Sequence, residues 1–183
     1  MTRSTTRWPP HWEKGQRYDL SHVYPFKFDY VLPANEQFAE RVVRIQVSFT
    51  SHAFTRKCEV DETPHPHYCA PGETRLFDHE RYGFSKRLPE LIRNIGNRKC
   101  FFAKYDNFFV LELPEGIPVD SEYWVFFFVE RADKREDHAL NLIVQSAYVG
   151  KRERSPGGRM AKKITFRALV SKVLAGEKPK PPP

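Results

Sequence analysis

Alternation of apolar and polar residues in steps of two recurs along this chain and constrains its fold more than any other feature. In residues 24–32, Phe26, Phe28, Tyr30 and Leu32 alternate with Lys27, Asp29 and Val31. In residues 41–50, Val43, Ile45, Val47 and Phe49 alternate with Val42, Arg44, Gln46 and Ser48. Side chains along a strand point to opposite faces in turn, so this period predicts strands with one buried face. The short gap between the two runs, opened by Pro33, predicts an antiparallel pair. Residues 99–104 and 107–113 flank Tyr105-Asp106 and read as a hairpin. Residues 122–131 are almost continuously apolar, the pattern of a central strand covered on both faces. Residues 139–149 alternate again.

Helical signals are fewer. Residues 88–96 carry Pro89 in a first-turn position, an apolar face of Leu91, Ile92 and Ile95, and Gly96 as a stop. Residues 160–175 place Ile164, Leu169, Val170 and Val173 near one face and are closed by Gly176. The expectation is an α+β fold, with an antiparallel sheet of about five strands, one short internal helix and one C-terminal helix. A chain of 183 residues suits one domain, and 15 phenylalanines supply ample core. Residues 1–18 read as a flexible arm pinned by Trp8 or Trp12, residues 19–176 as the domain, and 177–183 as a proline-rich tail. Within the domain, residues 51–87 form a long insertion without periodicity. Insertions of that length in compact domains are commonly functional. The N-terminus shows no secretory pattern and no apolar run is long enough to span a bilayer, so the cytoplasm is the expected location and no membrane partner is expected.

The net charge is +7, and residues 151–180 hold most of the excess, with Glu153 and Glu177 the acidic residues among their many lysines and arginines. Such a stretch points to RNA or another polyanion as partner. Walker, dinucleotide-binding, serine-elbow and His-Glu-x-x-His patterns are all missing.

Four groups of residues remain as candidates. His52, just past a strand end, is placed for general acid–base work. The segment from Arg75 to Arg87 gathers Asp78, His79, Glu80, Arg81, Tyr82 and Lys86. Metal-independent RNA cleavage needs a base for the 2′-hydroxyl, cations for the phosphorane and an acid for the leaving oxygen, and these side chains can supply all three. An ordinary ion-paired surface would carry the same residues. Tyr148 precedes Lys151, Arg152 and Arg154, where a ring can stack on a base beside phosphate-binding cations. Cys58, His65, His67 and Cys69 supply zinc-type donors, though not at finger spacing. Cys100 lies in an apolar run and reads as core.

In size, charge and element order the chain is loosely similar to small bacterial ribonuclease toxins of the RelE and barnase-like type, without a shared motif. That likeness implies a basic sheet surface acting on RNA without metal. The leading reading is an RNA-directed protein, extending to a metal-independent ribonuclease of toxin or defence type. Its catalytic residues would be His52, His79, Arg81 and Tyr148, with Arg75, Lys86, Arg87, Lys151, Arg152 and Arg154 binding nucleic acid. The alternatives are a non-catalytic accessory subunit of a bacterial or phage assembly with a protein partner, and a small zinc protein. The first two readings need no cofactor.

Overall fold

A computed structural model describes residues 6–34, 39–69, 72–103, 107–113, 115–154, 156 and 162–181. In chain order the strands and helices are β1 (His11–Glu13), β2 (Gln16–Tyr18), β3 (Phe26–Leu32), β4 (Arg41–Phe49), β5 (Thr55–Lys57), β6 (Arg75–Phe77), α1 (His79–Ser85), α2 (Leu88–Arg93), β7 (Lys99–Phe102), β8 (Phe108–Glu112), β9 (Ser121–Arg131), β10 (Leu140–Lys151), β11 (Lys163–Thr165) and α3 (Phe166–Leu174). The fold is α+β, mostly sheet with few helices.

The main sheet corrects the expectation of about five antiparallel strands. It has seven, ordered β11-β7-β8-β9-β10-β4-β3. Its neighbours are antiparallel except β10 and β4, which run parallel with Leu142 opposite Val47 and Val144 opposite Phe49. Periodicity locates a strand but is silent about which distant strand lies beside it, and this parallel pair joins segments far apart in the chain. The predicted β3–β4 pair is present, Phe28 opposite Ile45. The run at 122–131 is the fourth of the seven strands. A bulge between Val144 and Ser146 interrupts the β9–β10 register. Bulges bend and twist a sheet locally, and this one curls as a half-barrel.

One face of the sheet carries the core. Val43, Ile45, Val47, Phe108, Val110, Val125, Phe127, Leu142 and Val144 lie there, packed with Leu88, Leu91 and Ile92 of α2 and Phe166, Leu169, Val170 and Val173 of α3. Each fully buried aliphatic or aromatic side chain contributes roughly 1.5–3 kcal/mol. Cys100 is buried there, its thiol pushed up to about 12 by burial.

Three local readings differ from expectation. The helix foreseen at 160–175 begins later: Ile164-Thr165, with β-branched side chains, pairs with β7 instead, and Thr165 then caps α3 by accepting the amide of Ala168 at 3.1 Å. Met160 and Ala161 lie outside the described residues. Gly96 is not a helix stop. It sits in a 3-10 turn, where an added Cβ would lie 2.8 Å from the Tyr30 ring, so the residue is small because that ring crosses it. Among the described residues the internal α-helices are two, since α1 was not foreseen.

The arm and the insertion also have structure. β1 and β2 form a hairpin. Trp8 donates its indole N–H to the Phe49 carbonyl at 3.2 Å and packs edge-on against Phe54 and Tyr68. In the insertion, β5 pairs with β6, and α1 follows. The basic 150–158 loop and the 177–183 tail fall partly outside the described residues; Lys151 ends β10, and residues 177–181 are in neither helix nor strand. No helix among the described residues is long and apolar enough to cross a membrane.

Candidate functional site

Since Val125, Phe127 and Val129 of β9 face the core, Trp124, Phe126 and Phe128 point to the opposite face. On that face rings from four neighbouring strands stand in line. Phe101 stacks on Phe109 with centroids 5.1 Å apart, Phe109 meets Phe126 at 5.7 Å, and Phe126 stacks on Tyr148 at 5.6 Å and 16°. Strand pairing sets the spacing, with Phe101 opposite Phe109 and Phe109 opposite Phe126. The bulge places Tyr148 opposite Trp124, so its ring reaches Phe126 diagonally. A cation stands at each end of the line: Lys163 Nζ 5.9 Å from the Phe101 centroid and the Arg81 guanidinium 5.0 Å from that of Tyr148. Phe109 is buried, while Phe101, Phe126 and Tyr148 are half-buried.

Arg81 joins this ladder to a second group. Asp78 caps α1, accepting the Arg81 amide at 2.8 Å, and that fixes the start of the helix. The Arg81 guanidinium donates to the His52 carbonyl at 3.2 Å. His52 lies on a 3-10 turn directly after β4, where Thr50 Oγ1 accepts its amide at 3.3 Å. Its Nε2 bonds Glu73 at 3.0 Å, and the other oxygen of Glu73 accepts from Arg75 at 2.5 Å. Burial, aided by Arg75, lowers the His52 pKa below that of a free imidazole, with Glu73 opposing. His52 is therefore an oriented, mainly neutral base near pH 7. Burial raises the Tyr148 phenol, with Arg81 opposing, so it stays protonated.

A cavity of about 440 Å³ opens on the same sheet face. Ser48, Phe128, Ile143 and Gln145 form its floor, and Trp8, His52, Tyr68 and Cys69 stand around it. His52 thus borders both the cavity and the Arg81 end of the ladder.

The structure brings together His52, Arg81 and Tyr148, but not His79. That histidine donates to Glu13 at 2.7 Å and packs edge-on to Tyr18 and Phe77. It belongs to the seam holding the N-terminal hairpin, where His11 stacks on Phe77 at 4.0 Å and bonds the Tyr68 hydroxyl at 3.1 Å. Arg75 is also no phosphate clamp. It is 4% exposed, and its donors go to Glu73, Thr55 Oγ1 at 2.6 Å and the Thr55 carbonyl at 2.8 Å. Lys86 is exposed beside the Tyr82 ring, and Arg87 borders a separate cleft with Arg98, Glu112 and Tyr123. Lys151 pairs with Asp120, Arg152 with Glu122 at 3.5 Å and Arg154 with Glu153 at 3.8 Å. Exposed pairs of this kind are worth about 0–1 kcal/mol.

The four zinc-type donors do not converge. Among the described residues, the His, Cys, Asp and Glu donors that converge within 4.8 Å are Glu136, Asp137 and His138. Cys58, His65, His67 and Cys69 form no such group. Instead the Cys69 thiol accepts the Arg75 amide at 3.3 Å, and His65 stacks on Tyr68 at 4.2 Å.

Sequence reading missed Phe101, Phe109, Phe126 and Glu73. An available signal was aromatic residues at both odd and even positions of β7, β8 and β9, which fills two faces of a sheet. A residue paired across the bulge had no signal at all. A model described as the YjaZ family matches residues 10–174. No curated protein and no solved structure matches the chain.

Proposed function

We propose that this chain, which belongs to the YjaZ family, is an RNA-directed protein that binds a single strand on the half-buried rings of the ladder, Phe101, Phe126 and Tyr148. The observation carrying this reading is the line Phe101–Phe109–Phe126–Tyr148 with Lys163 and Arg81 at its ends. Single-strand binding surfaces combine rings on which bases stack with cations that follow the backbone. Lys151, the last residue of β10, and Arg152 and Arg154 just after it, all exposed, supply further charge a few residues from Tyr148. His52, aligned by Glu73, is the group able to deprotonate a 2′-hydroxyl, and Arg81 the one able to neutralise the phosphate. Cleavage would run through these two, with the protonated Tyr148 hydroxyl beside Arg81 giving its proton to the leaving 5′-oxygen, and without His79.

The test is fluorescence anisotropy with a labelled single-stranded RNA. Phe126→Leu should weaken binding about 5- to 150-fold, from roughly 1–3 kcal/mol per stacked base. Affinity should fall with salt by a log–log slope of about −0.7 per phosphate contacted. No binding at high protein concentration refutes the reading. Incubation with total RNA under chelator tests catalysis, which His52→Ala and Arg81→Ala should each lower by about two decades. Intact RNA would leave a binding protein alone.

One observation favours the accessory-subunit reading. Val31 of the edge strand β3 and Val42 of its neighbour β4 face each other at 50% and 64% exposure. Co-purification of one stoichiometric protein, without RNA, would support it.

A further inference from the structure

The cavity beside the ladder has a chemistry that plain stacking does not require. At about 440 Å³ it falls within the roughly 300–1,000 Å³ of small-ligand sites. Phe128 and Trp8 give it aromatic walls; Ser48, His52 and Gln145 give it polar ones. Gln145 is the bulge residue, passed over in the register between Val144 and Ser146. Its carbonyl accepts from Thr50 Oγ1 at 2.6 Å, which anchors the bulged backbone to the end of β4. Its side-chain carboxamide is half-buried and bonds no described residue, and the same holds for the Ser48 hydroxyl. A carboxamide in that state presents two donors and an acceptor, in one plane, to whatever enters.

We infer that this cavity is a nucleobase pocket that reads adenine. Glutamine pairs with adenine in a bidentate way, donating to N7 and accepting from the N6 amino group. Trp8 and Phe128 supply apolar walls for the ring. Phe128 lies two residues from Phe126 on one face of β9, about 7 Å along the strand. A base in the pocket is therefore a neighbour of the base stacked on the ladder. The bulge, which at first sight only bends the sheet, sets the reading group where a regular strand would have kept its backbone in the ladder of hydrogen bonds. This inference rests on the single-strand reading above, and it adds sequence preference to it.

The experiment compares labelled octamers of adenylate, cytidylate and uridylate on the full chain, with adenosine monophosphate titrated separately. A bidentate pair is worth about 1–3 kcal/mol of discrimination, so oligoadenylate should bind about 5- to 150-fold more tightly than oligouridylate. Gln145→Ala should abolish that preference by weakening oligoadenylate binding to the level of oligouridylate. Equal affinities in the wild type, or a preference that survives Gln145→Ala, overturn the pocket while leaving the ladder intact. Adenosine monophosphate binding that Gln145→Ala removes, without any octamer binding, supports the pocket and overturns the ladder. The wild-type comparison needs no variant to fold.

Discussion

Gly150→Ala is a stringent test of how the ladder is supported. Gly150 lies on β10 opposite Glu122, and the Trp124 indole lies over it. A Cβ built there would sit 2.0, 2.4 and 2.7 Å from three carbons of the indole ring, where real contacts begin above 3 Å. The indole cannot move aside freely. It is 3% exposed, its N–H donates to Glu122 at 3.0 Å, and its edge meets Tyr148 at 5.6 Å. Overpacking costs about 1–3 kcal/mol. Losing the indole hydrogen bond adds about 1 kcal/mol. The variant should therefore lose about 2–4 kcal/mol, a large part of the roughly 5–15 kcal/mol typical of a domain. Urea unfolding followed by circular dichroism measures this as a lower midpoint at unchanged m-value. In a Trp124→Leu background the same substitution should cost much less, because the two positions are in contact. A loss below about 0.5 kcal/mol, or an equal loss with and without Trp124, would refute the reasoning.

Tyr123 is 1% exposed and its hydroxyl bonds no described residue. Tyr123→Phe should be neutral or stabilising by about 1 kcal/mol, since an unsatisfied buried hydroxyl is removed; a clear drop in the urea midpoint would mean that the hydroxyl has a partner. The pKa values of His11, His22, His52 and His65 are all lowered, burial being the largest cause at each. The unfolded chain then binds more protons than the native one, so stability is complete above about pH 6.5 and falls as pH drops through the folded values. Urea midpoints at pH 7.5 and 5.5 should differ in that direction, and a higher midpoint at pH 5.5 would refute it.

Strands with one dry face were legible in the sequence because a period of two leaves a record in every other residue. β3, β4 and β10 each show it, and their places matched. α1 was hidden because its cap Asp78 and its turns are crowded with charge, so no apolar stripe announces it. The candidate site was legible in part. His52, Arg81 and Tyr148 stood out as chemistry-bearing residues and do meet, through the Arg81 contacts to a carbonyl and a ring. His79 has the same residue type and lies two positions from Arg81, yet α1 turns it toward the N-terminal hairpin. Neighbours on a helix separated by two positions do not share a face. Arg75 shows the opposite failure, since its charge looked available until the fold enclosed it against Thr55 and Glu73.

The parallel pairing of β4 with β10 orders events during synthesis. β3 and β4 can form a hairpin as soon as both have left the ribosome. The inner edge of β4 must then wait for Leu140 to Val144, about ninety residues later in the chain, or roughly 5–20 s at usual elongation rates. Throughout that interval an apolar strand edge stands open to the wrong neighbour. Slow or crowded synthesis should therefore trap this chain at its N-terminal third, and a helper that shields β4 would act before the meander from β7 to β10 is complete.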